Sequence, residues 1–476
     1  MVKSFLKDAF IYFIPYVISR GLAFFLTPLF TRILTPDEFG IFDLFIVYNG
    51  IVQLTLSLEV SQAVARFFSF ESNYLKKIEY ASSGFIFTLA SLFIFFILLA
   101  PFSGKVSYVI FQREGLANFF ILAMAFSFFY GGFYFLQNQL RWELRSKDYS
   151  VLSLFYTFST TLSCLYFLYF QNSGLVGLIW GYLVGCIFSF LFGLYQLRNS
   201  IKFKFNRHLL LQMILFSLPL VPASIAVWVN GYIDRIMIGS FLTLNEVGIF
   251  GVGFRFASVS LLVVSGLQAA LTPLVYQNYT NPNTPKEIER IFRFCVGFFL
   301  FLFAAVNIYI DDIFVFFATA EYSEAKNIVI FLMPSIILSQ MYIFAPGIYI
   351  AKKTNLVLII NFAGALIHTL SNFLLIPLLG ISGAAISSLV GQFVSFVFYM
   401  SISQHYYTIP YDWKKVLIMI LYVIFLVLIS REYFSDTTFF YYTSAFFIIA
   451  IIMGLFFFRF ITKSELIDLL QSFRKY

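Results

Sequence analysis

Along the chain, apolar residues come in long unbroken blocks divided by short polar stretches, with no sustained alternation of apolar and polar positions. A helix that crosses the hydrocarbon core of a membrane needs about 20 mostly apolar residues. By that measure the pattern predicts fourteen spans, near 9–31, 41–65, 81–102, 116–140, 150–170, 174–196, 209–233, 248–275, 292–317, 326–350, 355–376, 381–402, 414–430 and 438–459. Irregular backbone facing lipid would leave amides unpaired, so each block is expected to be a helix. A transmembrane barrel would need alternating strands of about ten residues, which this pattern does not offer. The predicted fold class is all-α and integral to the membrane. The first block is too long for a signal-peptide core and lacks a small-residue cleavage site, so it is expected to remain as the first helix.

Composition narrows the classes further. Of 476 residues, 61% are hydrophobic and 11% charged, against about 45–50% and about 25% in soluble domains. That balance excludes a soluble enzyme, a disordered scaffold and a disulfide-rich secreted module. Cys164, Cys186 and Cys295 lie far apart in apolar runs with no metal-ligand spacing, so neither a metal nor a cofactor is expected. The net charge of +8 does not argue for nucleic acid, because Lys and Arg cluster between the spans as orientation signals do. With the N-terminus inside, 23 of the 31 basic residues fall on the cytoplasmic side. Six (Arg32, Lys105, Arg113, Arg235, Lys326 and Arg431) fall on the other, and Arg20 and Arg255 lie within spans. Both termini are therefore expected in the cytoplasm.

The chain also repeats itself. Thr35-Pro36-Asp37-Glu38-Phe39-Gly40-Ile41-Phe42 follows the first span, and Thr243-Leu244-Asn245-Glu246-Val247-Gly248-Ile249-Phe250 follows the seventh. Both read T-x-x-E-x-G-I-F at an offset of 208 residues. A second pair, Gly174-Leu175-Val176-Gly177 and Gly380-Ile381-Ser382-Gly383, recurs at an offset of 206. Duplication of a six-helix unit explains both, and an even number of spans makes the repeats parallel, as in some secondary transporters. The expected organisation is a six-helix bundle over 1–207, a second over 208–410, and a transmembrane hairpin with a cytoplasmic tail over 411–476.

At these residues a family resemblance emerges. The stretch Pro28-Leu29-Phe30-Thr31-Arg32-Ile33-Leu34-Thr35-Pro36-Asp37-Glu38-Phe39-Gly40 resembles the signature after helix one of Wzx-type polysaccharide flippases. These belong to the multidrug/oligosaccharidyl-lipid/polysaccharide exporter superfamily. Ala63-Val64-Ala65-Arg66-Phe67-Phe68, Leu218-Pro219-Leu220-Val221-Pro222 and Asp234-Arg235 are similar to the same family. The resemblance implies translocation of undecaprenyl-pyrophosphate-linked oligosaccharide across the bacterial inner membrane, for surface polysaccharide such as the O-antigen of lipopolysaccharide. It also implies membrane lipids and polysaccharide-assembly proteins as partners.

A charge at the centre of a span costs at least about 2.5–3.5 kcal/mol, so Arg20, Asp43, Glu59, Arg255 and His368 are candidates for function. Spacing adds stripes. Glu59, Gln62 and Arg66 share a helical face, as do Tyr130, Tyr134, Gln137, Arg141 and Arg145. Asn361, Ala365, His368 and Asn372 form another such stripe, and Ser388, Gln392, Ser395 and Tyr399 a fourth. Such stripes either line a wet cavity or join helices by hydrogen bonds. On the cavity reading, Arg20 and Arg255 offset a pyrophosphate by forked hydrogen bonds. Arg141 and Arg145 then stand at the cytoplasmic entrance, and Arg66, Tyr134, Asn361 and Asn372 are further substrate contacts. Asp43, Glu59, Asp234 and His368 are candidates for proton or cation coupling. Prolines at 15, 28, 219, 222, 273, 334 and 346 are expected to bend their helices, the 219/222 pair most of all.

No P-loop occurs in the chain, so nucleotide hydrolysis is not expected on it. A membrane enzyme would need catalytic residues on a sizeable external loop, and none is present. The remaining alternatives are a drug/cation antiporter of the same superfamily, expected to have an acidic cavity, and a flippase for a peptidoglycan lipid precursor.

Overall fold

The computed structural model describes residues 2–262, 264, 268, 271, 275, 278–433, 440–458, 460 and 465, with side chains from residue 11 onward except at 433 and 440–442. Its helices are α1 (Val2–Ile33), α2 (Pro36–Ser57), α3 (Val60–Phe70), α4 (Tyr74–Leu99), α5 (Ser103–Phe111), α6 (Ala117–Trp142), α7 (Ser146–Leu165), α8 (Gly174–Gln196) and α9 (Arg207–Ser217). They continue as α10 (Val221–Phe241), α11 (Leu244–Ala257), α12 (Thr284–Ile308), α13 (Ile310–Phe317), α14 (Ala325–Gln340), α15 (Thr354–Leu379), α16 (Ile381–Tyr406), α17 (Trp413–Tyr433) and α18 (Phe440–Phe457). No strand occurs among the described residues. The all-α expectation holds.

Among the described residues, twelve helices are long and apolar enough to cross a membrane, and Thr443–Phe457 is a shorter apolar one. The expected count was fourteen. The other two expected spans, 248–275 and 438–459, run into residues outside the described ones.

Several boundaries move for local reasons. The second span starts at Pro36, because Thr35 caps it, and stops at Ser57. There Leu58 and Glu59 both take left-handed φ, 47° and 54°, and a separate helix, α3, begins. The expected face Glu59–Gln62–Arg66 therefore starts at a break instead of inside one long span. The seventh span does not end at 233 but runs to Phe241, carrying Asp234 and Arg235 inside α10. Arg235, counted above on an external loop, is buried in a helix. At the Pro219/Pro222 pair the chain changes to a 3-10 turn, Leu218–Leu220, between α9 and α10, which is the expected interruption. Pro273 lies outside the described residues.

By packing, the chain forms two compact units, residues 1–252 with 361–387, and residues 253–360 with 388–476. Compactness thus groups the helices along other lines than the expected repeat boundaries at 207 and 410. In the first unit, α7 and α8 meet through small residues. A Cβ on Gly181 would strike the Cys164 backbone, and one on Gly185 would strike that of Thr160. Such close approach is how helices gain contact in lipid, where apolar burial drives little. Ser159 Oγ adds a 3.0 Å bond onto the Gly185 carbonyl. In the second unit, Phe292 gathers Phe344, Tyr411 and Trp413 around it, and Tyr411 donates to the Phe344 carbonyl at 2.5 Å.

Candidate functional site

The duplicated T-x-x-E-x-G-I-F segment has a physical role in both copies. Thr35 and Glu38 form a reciprocal capping box, with the Glu38 amide donating to Thr35 Oγ1 at 3.4 Å and the Thr35 amide to Glu38 Oε2 at 3.1 Å. In the second copy the Thr243 hydroxyl donates to the Glu246 carboxylate. The motif is a helix start.

Its glycine is an interface. A Cβ on Gly40 would fall on the Leu244 carbonyl and 3.2 Å from the Gly248 amide nitrogen. One on Gly248 would fall on the Pro36 carbonyl and 3.0 Å from the Gly40 amide. Positions 36 and 244, and 40 and 248, are equivalent at the offset of 208, so the contact is reciprocal and a local two-fold relates α2 to α11. One turn further on, Asp43 meets its own equivalent, Gly251, whose missing side chain leaves room for the carboxylate.

At that crossing the unit buries four ionisable side chains. Asp43 is 6% exposed, Asp234 3%, Arg235 4% and His368 0%. Arg235 Nε lies 4.0 Å from Asp43 Oδ2, and Nη1 donates to the Gly231 carbonyl at 2.9 Å. The guanidinium sits over the rings of Phe250 and Tyr232 at 5.2 and 5.7 Å. The preceding residue, Asp234, faces α15. His368 Nε2 is 2.7 Å from Asp234 Oδ1, and Asn372 Nδ2 donates to the same oxygen at 2.9 Å. One turn away along α10, Asn230 donates to the Asn361 carbonyl at 3.1 Å. Adjacent residues of α10 therefore bind it to α2 on one side and to α15 on the other. Taking such charges out of water is unfavourable by several kcal/mol each unless they pair well, so the arrangement holds opposite charges in contact within apolar spans.

Of the candidates read from sequence, Asp43, Asp234, His368, Asn361 and Asn372 come together here. The Asn361–His368–Asn372 stripe faces α10, and its His and Asn372 are closed off from solvent. Glu59 stands apart, half-buried at the start of α3. Arg66 is exposed and stacks on Phe216 at 4.4 Å. Arg141 is exposed and donates to the Tyr149 hydroxyl at 2.8 Å. Arg145 binds Asp148, Glu143 and the Gln196 carbonyl, at 2.8, 3.3 and 3.2 Å, which ties the start of α7 to the end of α8. Arg255, half-buried on α11, belongs to the second unit.

Arg20 is exposed on α1, with its guanidinium 5.6 Å from the Tyr16 ring. Arg20 lies within α1, which runs from Val2 to Ile33. On α6, Tyr130 stacks on Tyr134, which is exposed.

Arg235 and Asn230 are site residues that the sequence does not single out: Arg235 stands just past the expected end of the seventh span, and Asn230 is a lone amide with no polar stripe around it. The apolar run Ile236-Met237-Ile238 beyond Arg235 was the signal that the helix continues. Among the described residues no group of three or more His, Cys, Asp or Glu side chains is placed to hold a metal ion.

Comparison with known proteins gives this geometry a setting. A family model described as polysaccharide biosynthesis protein matches residues 5–279, more than half of the chain, and a second, MatE, matches residues 219–374. The chain is 22% identical over 413 residues to the probable low-salt glycan biosynthesis flippase Agl15 of Haloferax volcanii, spanning 85% of this chain and 84% of the relative. It is 21% identical over 401 residues to the Lsg locus putative protein 1 of Haemophilus influenzae, spanning 79% and 94%. Its fold is similar to that of the lipid II flippase MurJ in an inward closed conformation, with a TM-score of 0.75 and 14% identity over 94% of this chain and 99% of the other. A multidrug resistance MATE family transporter in an inward-facing conformation gives 0.65 and 17%, over 83% and 97%. These two likenesses are of fold.

Proposed function

The chain belongs to the polysaccharide biosynthesis protein family, and from that premise we propose that it flips a polyprenyl-pyrophosphate-linked oligosaccharide across a bacterial inner membrane by alternating access. Both termini lie in the cytoplasm on this reading, and the cargo serves surface polysaccharide assembly. The observation that carries it is the relation to a glycan biosynthesis flippase over 85% of the chain.

The chemistry of the cargo fits the exposed groups. A sugar hydroxyl stripped of water without a new partner is unfavourable by several kcal/mol, so the head group needs a polar path. Arg20 supplies an exposed guanidinium on α1, and Tyr130 and Tyr134 of α6 offer rings that suit sugar faces. Arg66, Arg141 and Asn361 are assigned to the same path, with Arg145 holding its mouth in shape; Arg255 is a candidate cargo contact of the second unit, and Asn372, buried against Asp234, braces α10 instead. The buried charges serve coupling to a proton or cation gradient, through Asp43, Asp234 and His368, with Glu59 as an outlying candidate. The MatE match over residues 219–374, which contains Asp234 and His368, favours a second reading as a drug/cation antiporter.

Deletion followed by analysis of cell-surface glycan separates the two readings. A flippase deletion stops glycan reaching the surface and leaves drug sensitivity unchanged, whereas an antiporter deletion does the reverse. Arg20→Ala at normal membrane abundance is expected to abolish surface glycan; full glycan in that variant would remove Arg20 from the path.

A further inference from the structure

The turn between α8 and α9 carries Lys202-Phe203-Lys204-Phe205, and its backbone is fastened down. The Lys202 amide donates to Ser82 Oγ and the Asn206 amide to Ser83 Oγ, both at 2.9 Å. Asn206 Nδ2 donates to Glu79 Oε2 at 3.0 Å, and Asn206 Oδ1 caps α9 by accepting from the amides of His208 and Leu209. Ser82 and Ser83 are wholly buried on α4. A loop held at three points has a fixed outer surface. That surface consists of Lys202, Phe203, Lys204 and Phe205, all exposed, with Phe203 as accessible as in an extended chain (102%).

Among the described residues none covers Phe203, and Phe205 is left 54% exposed. Apolar surface left in water is unfavourable by about 25 cal/mol per Å², and a turn built only for solubility has no use for them. The position supplies the reason. The loop joins the end of one span to the start of the next, so it lies where hydrocarbon gives way to headgroups. Lys76 and Lys77 stand within two turns of Ser82 on α4, beside exposed Tyr74 and Leu75, and Arg207 opens α9. The patch thus sets five basic side chains against two carboxylates, Glu71 and Glu79. Rings that sink into the acyl boundary while ammonium groups meet phosphates are the arrangement of an interfacial anchor.

We propose that this fastened Lys-Phe-Lys-Phe turn, with Lys76, Lys77 and Arg207, is a binding site for anionic phospholipid headgroups of the membrane face on which α4 and α9 begin. The alternation of Lys and Phe in one row suits a plane of phosphates above acyl chains and not a closed pocket. Because α9 leads into the 3-10 turn Leu218–Leu220, the anchor holds one arm of an interrupted helix at a set depth. The proposal stands whether or not the chain is a flippase.

The test uses the full chain in phosphatidylcholine vesicles with increasing phosphatidylglycerol. Cys164, Cys186 and Cys295 are buried, so a nitroxide on Phe203→Cys reports that position. Molecular oxygen is expected to relax the label more than a water-soluble nickel chelate once phosphatidylglycerol is present. Lys202→Gln with Lys204→Gln should raise the phosphatidylglycerol needed by about 30-fold, taking about 1 kcal/mol for each basic residue and about 1.4 kcal/mol for each factor of ten. The Lys→Arg pair should behave as the parent. A label open to the chelate in every vesicle overturns the proposal. So does one equally shielded in phosphatidylcholine alone, which would mean apolar insertion without headgroup recognition.

Discussion

Removing the carboxylate of Asp43 takes from Arg235 a buried opposite charge. The pair lies 4.0 Å apart with side chains 7% and 4% exposed. Two unit charges at that distance attract by about 4 kcal/mol at an effective dielectric of about 20, and deleting one partner of a buried pair costs about 3–5 kcal/mol. At about 2.1 cal/mol/K of unfolding entropy per residue, a chain of 476 residues changes its midpoint by about 1 °C per kcal/mol. Asp43→Ala is therefore expected to lower the midpoint by about 3–5 °C. Arg235→Ala should lower it at least as much, since it also gives up the ring contacts to Phe250 and Tyr232. The double variant should fall short of the sum by about 2 °C or more, because the second deletion removes a charge whose opposite partner is already gone. A thiol-reactive fluorophore monitors this on the purified full chain, because all three cysteines are buried until it unfolds. Additive effects, or an unchanged midpoint in Asp43→Ala, would refute the claim that these two charges hold each other.

Gly40→Ala and Gly248→Ala each place a methyl on a backbone carbonyl, so each should lower the midpoint by about 1–3 °C, on the same scale, from overpacking. Gly239→Ala, whose new methyl meets nothing nearer than 3.5 Å, should leave it alone. His368→Ala removes a hydrogen-bond partner of Asp234 and leaves a hole at a fully buried site. A loss of about 2–4 kcal/mol is expected, partly restored by Asn or Gln in a denaturation series. Asp412 accepts from the Lys415 amide at 3.2 Å at the start of α17, and that bond holds its carboxyl below the usual aspartate value. A depressed value means the stabilisation is present above about pH 3.9 and is lost as pH falls through the lower folded value. Asp412→Ala should thus be less stable than the parent at pH 7 by no more than about 1 kcal/mol, with the gap closing in acid.

Local pattern carried far in this chain. The apolar blocks predicted helices because a membrane permits little else, and the paired prolines foretold the interruption between α9 and α10. The T-x-x-E-x-G-I-F echo disclosed duplication at the level of residues. Its first four positions also spelled a helix start, since Thr and Glu at that spacing satisfy the free amides of a first turn wherever they occur. The polar stripe of α15 was legible too, because Asn361, His368 and Asn372 repeat at helical spacing.

Periodicity names a face but not what the face meets. Whether the stripe on α15 would line water or another helix depended on α10, more than a hundred residues away, presenting Asn230 and Asp234 at matching heights. Likewise Glu59 reads in the sequence as a charge within a span, with nothing local to mark a helix break there, and Arg235 reads as the edge of a span although Asp43 and Phe250 enclose it. The amino-acid order by itself determined the solvent, the helices and the duplication, since these follow from burial and hydrogen bonding over one or two turns. Only the tertiary structure decided which charges are neutralised by which, because Coulomb attraction and close packing act between helices whose distance in space the chain does not spell out.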